Sequence, residues 1–135
     1  MKPVLGTSIA DKIFNAAIFR DFRPEGAAAI AATVALENAG TSLIQFKGDR
    51  FKRYIKFCFD KELDYRFPDT KILYIFYDLN KNVDFDPSKI KNAETVEEAV
   101  LAFTGNYLRK TLTQRELITY VATAYEIQKL MVGLE

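Results

Sequence analysis

The chain has 135 residues, 49% apolar and 27% charged, and its 19 basic and 18 acidic side chains leave a formal charge of +1. That balance argues against a disordered chain and fits one folded domain over residues 1–135. It also argues against a uniformly basic surface, so any binding of anions has to come from local segregation of charge.

The chain begins with no apolar stretch long enough for a signal peptide. Nowhere does a run approach the roughly 18 apolar residues needed to span a bilayer. With Cys58 as the one cysteine, no intrachain disulfide can form and a reducing compartment is expected. The expectation is a cytoplasmic protein with no membrane partner.

In chain order, residues 13–22 fit a strand or the end of a short helix, and their β-branched and aromatic content favours strand. Pro24 and Gly26 then break the chain. Residues 27–39 are rich in alanine, the best helix former. Ile30, Val34 and Leu36 would also share one side of a strand, but the helix is preferred.

Residues 41–46 read as a strand and 47–50 as a turn, with Gly48 able to take positive φ. Along 51–59 the side chains alternate: Phe51, Arg53, Ile55, Phe57 and Phe59 on one side, Lys52, Tyr54, Lys56 and Cys58 on the other. Phe51, Tyr54, Ile55 and Cys58 also fit helical spacing, and the flanking turn favours a hairpin. Residues 71–78, apolar on both sides, read as a central strand.

The last third changes character. Thr95 with Glu98 and Thr113 with Glu116 both match the capping-box pattern of a hydroxyl and a carboxylate three residues apart. Helical apolar spacing follows each, and the short connection over 108–112 makes a helical hairpin. The expected fold is therefore α+β, an antiparallel sheet in the first two thirds packed by a C-terminal helical hairpin.

Chemistry is conspicuous by what is missing. The chain has no histidine, which removes the usual general base near neutral pH and every histidine-containing triad. One cysteine leaves the familiar zinc sites out of reach. No glycine-rich phosphate loop is present. Asp69, Asp78 and the acidic run over 78–86 lack the spacing of a nuclease or calcium site. The protein is read as non-catalytic, with no cofactor and no metal.

What remains is charge. Lys47, Arg50, Lys52, Arg53 and Lys56 stand against one anion, Asp49, while six carboxylates fall between Asp78 and Glu98. Proteins that hold single strands combine a positive groove with aromatic rings that stack on bases. On a strand, Lys52, Tyr54 and Lys56 would project together, two cations for phosphates and a ring for a base between them. Lys47 and Arg50 would extend the track. Arg20 and Arg23, beside a helix starting near Pro24, would assist at free backbone N–H groups.

The expected function is thus non-catalytic binding of single-stranded nucleic acid, or another anionic ligand, through a basic-aromatic strand. The alternative is a small oligomeric sequestering or inhibitory protein that binds an anionic nucleotide or a partner protein. A homo-oligomer, formed through the C-terminal hairpin or across the opposed charge patches, is compatible with either. Solvated surface is the plain structural explanation of the same lysines.

Overall fold

Helices carry the whole architecture. The computed structural model describes residues 9–37, 48–81 and 86–132, and no strand occurs among them. In order they are α1 (Ile9–Phe19), α2 (Pro24–Glu37), α3 (Gly48–Lys61), α4 (Pro68–Lys81), α5 (Ser88–Lys91), α6 (Val96–Ala102), a π-helical turn (Phe103–Tyr107) and α7 (Gln114–Val132). The antiparallel sheet expected from the sequence is overturned, and the fold is all-α over the described residues.

α2 is the axis of the molecule. Every residue from Gly26 to Val34 is buried, and α1, α5, α6 and α7 all pack on it. A helix surrounded on all sides needs no polar face. Its alanines satisfy that requirement and let neighbouring backbones come close. Gly26 takes the closest approach: a Cβ there would overlap the Ile90 carbonyl oxygen of α5. The Arg23 N–H, just before α2, donates to the Lys91 carbonyl at 2.9 Å, so the start of α2 is closed by α5.

Of the four segments read as strands, three fall in helices and one lies outside the described residues. Residues 13–22 lie largely in α1, where Ile13, Phe14 and Ala17 face the core. Residues 51–59 lie within α3, where the i, i+3, i+4, i+7 spacing prevails over alternation: Tyr54 and Cys58 are buried. Residues 71–78 lie within α4, whose Ile72, Tyr74, Ile75, Phe76 and Leu79 are all buried. An apolar run is common to a central strand and a buried helix. Here the run belongs to a helix that starts at Pro68, a residue compatible with the first helical turn. The expected strand over 41–46 lies outside the described residues.

Local signals operate at the helix ends. The Thr95 hydroxyl oxygen accepts from the Glu98 N–H at 3.1 Å. Thr113 and Glu116 close a reciprocal box, with Glu116 N–H to Thr113 Oγ1 at 3.1 Å and Thr113 N–H to Glu116 Oε1 at 2.9 Å. α1 and α3 end in Schellman motifs. Phe22 N–H donates to the Ala17 carbonyl, and Leu63 N–H to that of Cys58. The left-handed residues are Asp21 (φ 68°) and Glu62 (φ 57°), not glycines.

α4 packs against both α1 and α3. On one side Lys12 of α1 pairs with Asp69 at 3.0 Å, and Phe22 meets Phe76 edge-on at 5.7 Å between ring centroids. On its other side α3 packs through rings: Tyr54 and Phe57 each lie 5.3 Å from Tyr74, and Phe57 lies 4.8 Å from Tyr77.

Candidate binding surface on helix α3

A helix over Gly48–Lys61 sorts the basic-aromatic segment differently from a strand. At 100° per residue, Arg50, Tyr54 and Cys58 turn towards α4, while Lys52, Lys56 and Phe59 turn away. The candidate residues are therefore divided between an inner and an outer face.

The inner face is anchored. Arg50 is pinned by three contacts to the body of the protein. Its Nη2 donates to the Tyr107 carbonyl at 2.7 Å, its guanidinium lies 4.5 Å from the centroid of the Tyr107 ring, and its Nε stands 3.7 Å from Asp78 Oδ2. The Asp78 side chain is only 7% exposed. Neither Arg50 Nε nor Asp78 Oδ2 makes a hydrogen bond, so charge attraction holds the pair. Burial above all, then the Asp78 charge, pushes the phenols of Tyr74 and Tyr107 up from their ordinary value.

Tyr54, expected to stack on a base, is 1% exposed. Its hydroxyl donates to the Tyr65 carbonyl at 2.6 Å, which ties the α3–α4 connection back onto α3. Burial raises the Tyr54 phenol well above its ordinary range. Cys58 is buried one turn on, and burial pushes its thiol up as well. That is the setting of a small core residue.

The outer face is open to solvent. Lys52, Arg53, Lys56 and Phe59 are exposed, Phe59 at 82%. Lys56 pairs with Asp60 one turn along at 2.8 Å, with both side chains largely in solvent. Such a pair is weak, and an incoming anion can compete with it. Tyr65 and Phe67, in the connection to α4, are also exposed.

The remaining candidates lie elsewhere. Lys47 is outside the described residues. Arg20 folds back at the end of α1, donating to the Ala16 carbonyl at 3.0 Å and lying 5.0 Å from the Phe76 ring centroid. Arg23 stands 3.5 Å from Glu25 Oε1. Outside the candidate set, Lys110 bonds Glu37 at 2.7 Å and reaches Glu116 at 3.4 Å, while the Tyr120 hydroxyl donates to the same Glu37 oxygen. These contacts lock the end of α2 to the start of α7.

Sequence reasoning missed the pairing of Arg50 with Asp78. A signal for it existed, since an aspartate inside the apolar run 72–79 needs a cation if it is to be buried. Phe59, which alternation sets on the same side as Ile55 and Phe57, lies on the surface. No group of metal-ligating side chains occurs among the described residues, and no described helix is long and apolar enough to cross a membrane. No family model matches the chain, and no curated protein sequence matches it.

Proposed function

We propose that this protein is a non-catalytic, cytoplasmic binder of single-stranded nucleic acid, and that the binding surface is the solvent face of α3. The observation that carries this reading is the run Lys52, Lys56 and Phe59 at i, i+4 and i+7, all exposed on one face. Successive cations on that face are separated by about 6 Å along the helix axis, suited to phosphates following one another along an extended strand. Phe59 takes the stacking role that the buried Tyr54 does not fill. Arg53 widens the positive face.

The reading is tested by fluorescence anisotropy with a labelled single-stranded oligonucleotide of about 20 nucleotides, titrated at low and at physiological salt. Binding that weakens steeply with salt is expected. The double variant Lys52→Ala/Lys56→Ala, losing two phosphate contacts, lowers affinity for every sequence and flattens the log–log salt slope by about 1.4. Phe59→Ala costs about 1–3 kcal/mol of binding, whereas Tyr54→Phe leaves affinity unchanged. No binding at low salt, or a salt slope untouched by the double variant, removes α3 from nucleic-acid recognition.

A further inference from the structure

The connection between α3 and α4 presents two further aromatic rings. Tyr65 is 50% exposed and Phe67 60% exposed, and Arg66 between them is also open to solvent. Their backbone is held at several points. Leu63 N–H donates to the Cys58 carbonyl at 2.8 Å, and Phe67 N–H to that of Asp64 at 3.2 Å. The Tyr54 hydroxyl donates to the Tyr65 carbonyl at 2.6 Å. Arg66 donates to Asp64 three times, from its backbone N–H at 2.9 Å, from Nε at 3.1 Å and from Nη2 at 2.9 Å. That fork fixes the plane of the guanidinium while the Arg66 side chain stays 72% exposed. Three flat groups thus stand in water on an ordered loop. Ordering that loop belongs to folding and adds little to the cost of binding.

We infer that Tyr65, Arg66 and Phe67 form a stacking platform for unpaired bases of a strand running along α3. The platform rests on the reading of α3 as a single-strand surface and extends that site past Phe59 into the connection. Charge and composition select the occupant. Between Lys52 and Arg66 five cations stand against three anions, an excess of two in a chain whose formal charge is +1, so the remainder of the chain is net negative. A polyanion is therefore drawn to this segment. The rings do not form one apolar patch. Asp60, Lys61 and Glu62 follow Phe59, and Arg66 separates Tyr65 from Phe67. An apolar protein face or membrane hydrocarbon would bury those charges unpaired. A nucleotide brings a π face with polar edges together with a phosphate, so one unit meets both ring and cation. The guanidinium plane stacks on bases as the rings do. Bases offer their faces in this way only when unpaired, which makes the platform selective for a single strand.

Rings and phosphates are separated by two probes. Anisotropy of the full chain is measured with a labelled thymidine strand of about 20 nucleotides and with an abasic strand of equal length, which keeps the phosphates and lacks the bases. Tyr65→Ala/Phe67→Ala, at exposed positions, should weaken binding of the thymidine strand at least about tenfold. Affinity for the abasic strand, affinity for a duplex, the salt slope and the circular dichroism spectrum should not change. Tyr65→Phe, which keeps the ring, should bind as the parent does. If neither strand binds at low salt, the α3 reading itself fails and takes the platform with it. If the thymidine strand binds and Lys52→Ala/Lys56→Ala weakens it while the double ring variant does not, the platform alone is overturned. An equal loss for both strands also overturns it, because bases then play no part. Capture on phosphatidylcholine–phosphatidylserine vesicles that the ring variant abolishes, with strand binding untouched, assigns the rings to a membrane and overturns the platform.

Discussion

The guanidinium of Arg50 and the carboxylate of Asp78 face each other at 3.7 Å in a nearly closed site between α3 and α4, roofed by the Tyr107 ring. Removing one partner of such a pair leaves the other charge uncompensated, whereas removing both does not. Asp78→Ala should therefore destabilise the protein by about 3 kcal/mol in urea unfolding. Arg50→Met with Asp78→Leu should cost clearly less than the sum of the single changes. Additive losses would mean that the pair contributes no coupling.

Gly26 gives a case in which helix propensity and packing oppose each other. In an exposed helix, glycine to alanine gains about 1 kcal/mol. At Gly26 the new methyl meets the Ile90 carbonyl, which is backbone and cannot swing away. Gly26→Ala is expected to lose about 2 kcal/mol or more. An increase in thermal midpoint would show that α5 yields freely.

The left-handed C-cap residues predict the opposite sign. Asp21 and Glu62 are exposed and hold positive φ at the ends of α1 and α3. Glycine relieves that strain, so Glu62→Gly should stabilise by about 0.5–1 kcal/mol. Asp21→Gly should gain less, because aspartate tolerates this conformation better. Equal or negative changes in chemical denaturation would contradict the assignment.

The pH dependence follows from tyrosines and a lysine. Burial, with help from the hydrogen bond to Glu37, pushes Tyr120 up to about 12, and the Tyr54, Tyr74 and Tyr107 phenols are also raised. The hydrogen bond to Glu37 chiefly raises Lys110. In each case the folded state holds its proton longer than the unfolded chain, so stability is fully present below about pH 10 and declines as pH rises above it. With no histidine, no side chain with an ordinary value titrates near neutrality. Urea midpoints should thus be level from about pH 6 to 8, begin to decline as the raised Cys58 thiol comes into play, and fall steeply from pH 10 to 12. Ultraviolet titration should show the buried phenols ionising only as the chain unfolds. Early, reversible ionisation of all seven tyrosines would refute the burial.

Which parts of this structure could be read from the sequence alone follows the range of the interactions. Capping at Thr95 and Thr113 was legible because donor and acceptor lie three residues apart and the hydrogen bonds are local. The alanine-rich α2 was legible because a small side chain without rotamer cost suits a helix in any setting. The absence of histidine, and the chemistry that it removes, needed no structure at all.

The segments 51–59 and 71–78 were not legible in this way. Their residues satisfy the period of a strand and that of a helix at once, and propensity differences of a few tenths of a kcal/mol per residue cannot separate the two. Tertiary contacts decided them. Asp78 finds Arg50 28 positions away in sequence, and Tyr54 packs on Tyr74. The same contacts turned Arg50 and Tyr54 inward and left Lys52, Lys56 and Phe59 outside. Composition settled that a basic-aromatic segment exists, but a side chain's direction depends on the neighbour that buries the opposite face, and only the folded chain supplies that neighbour.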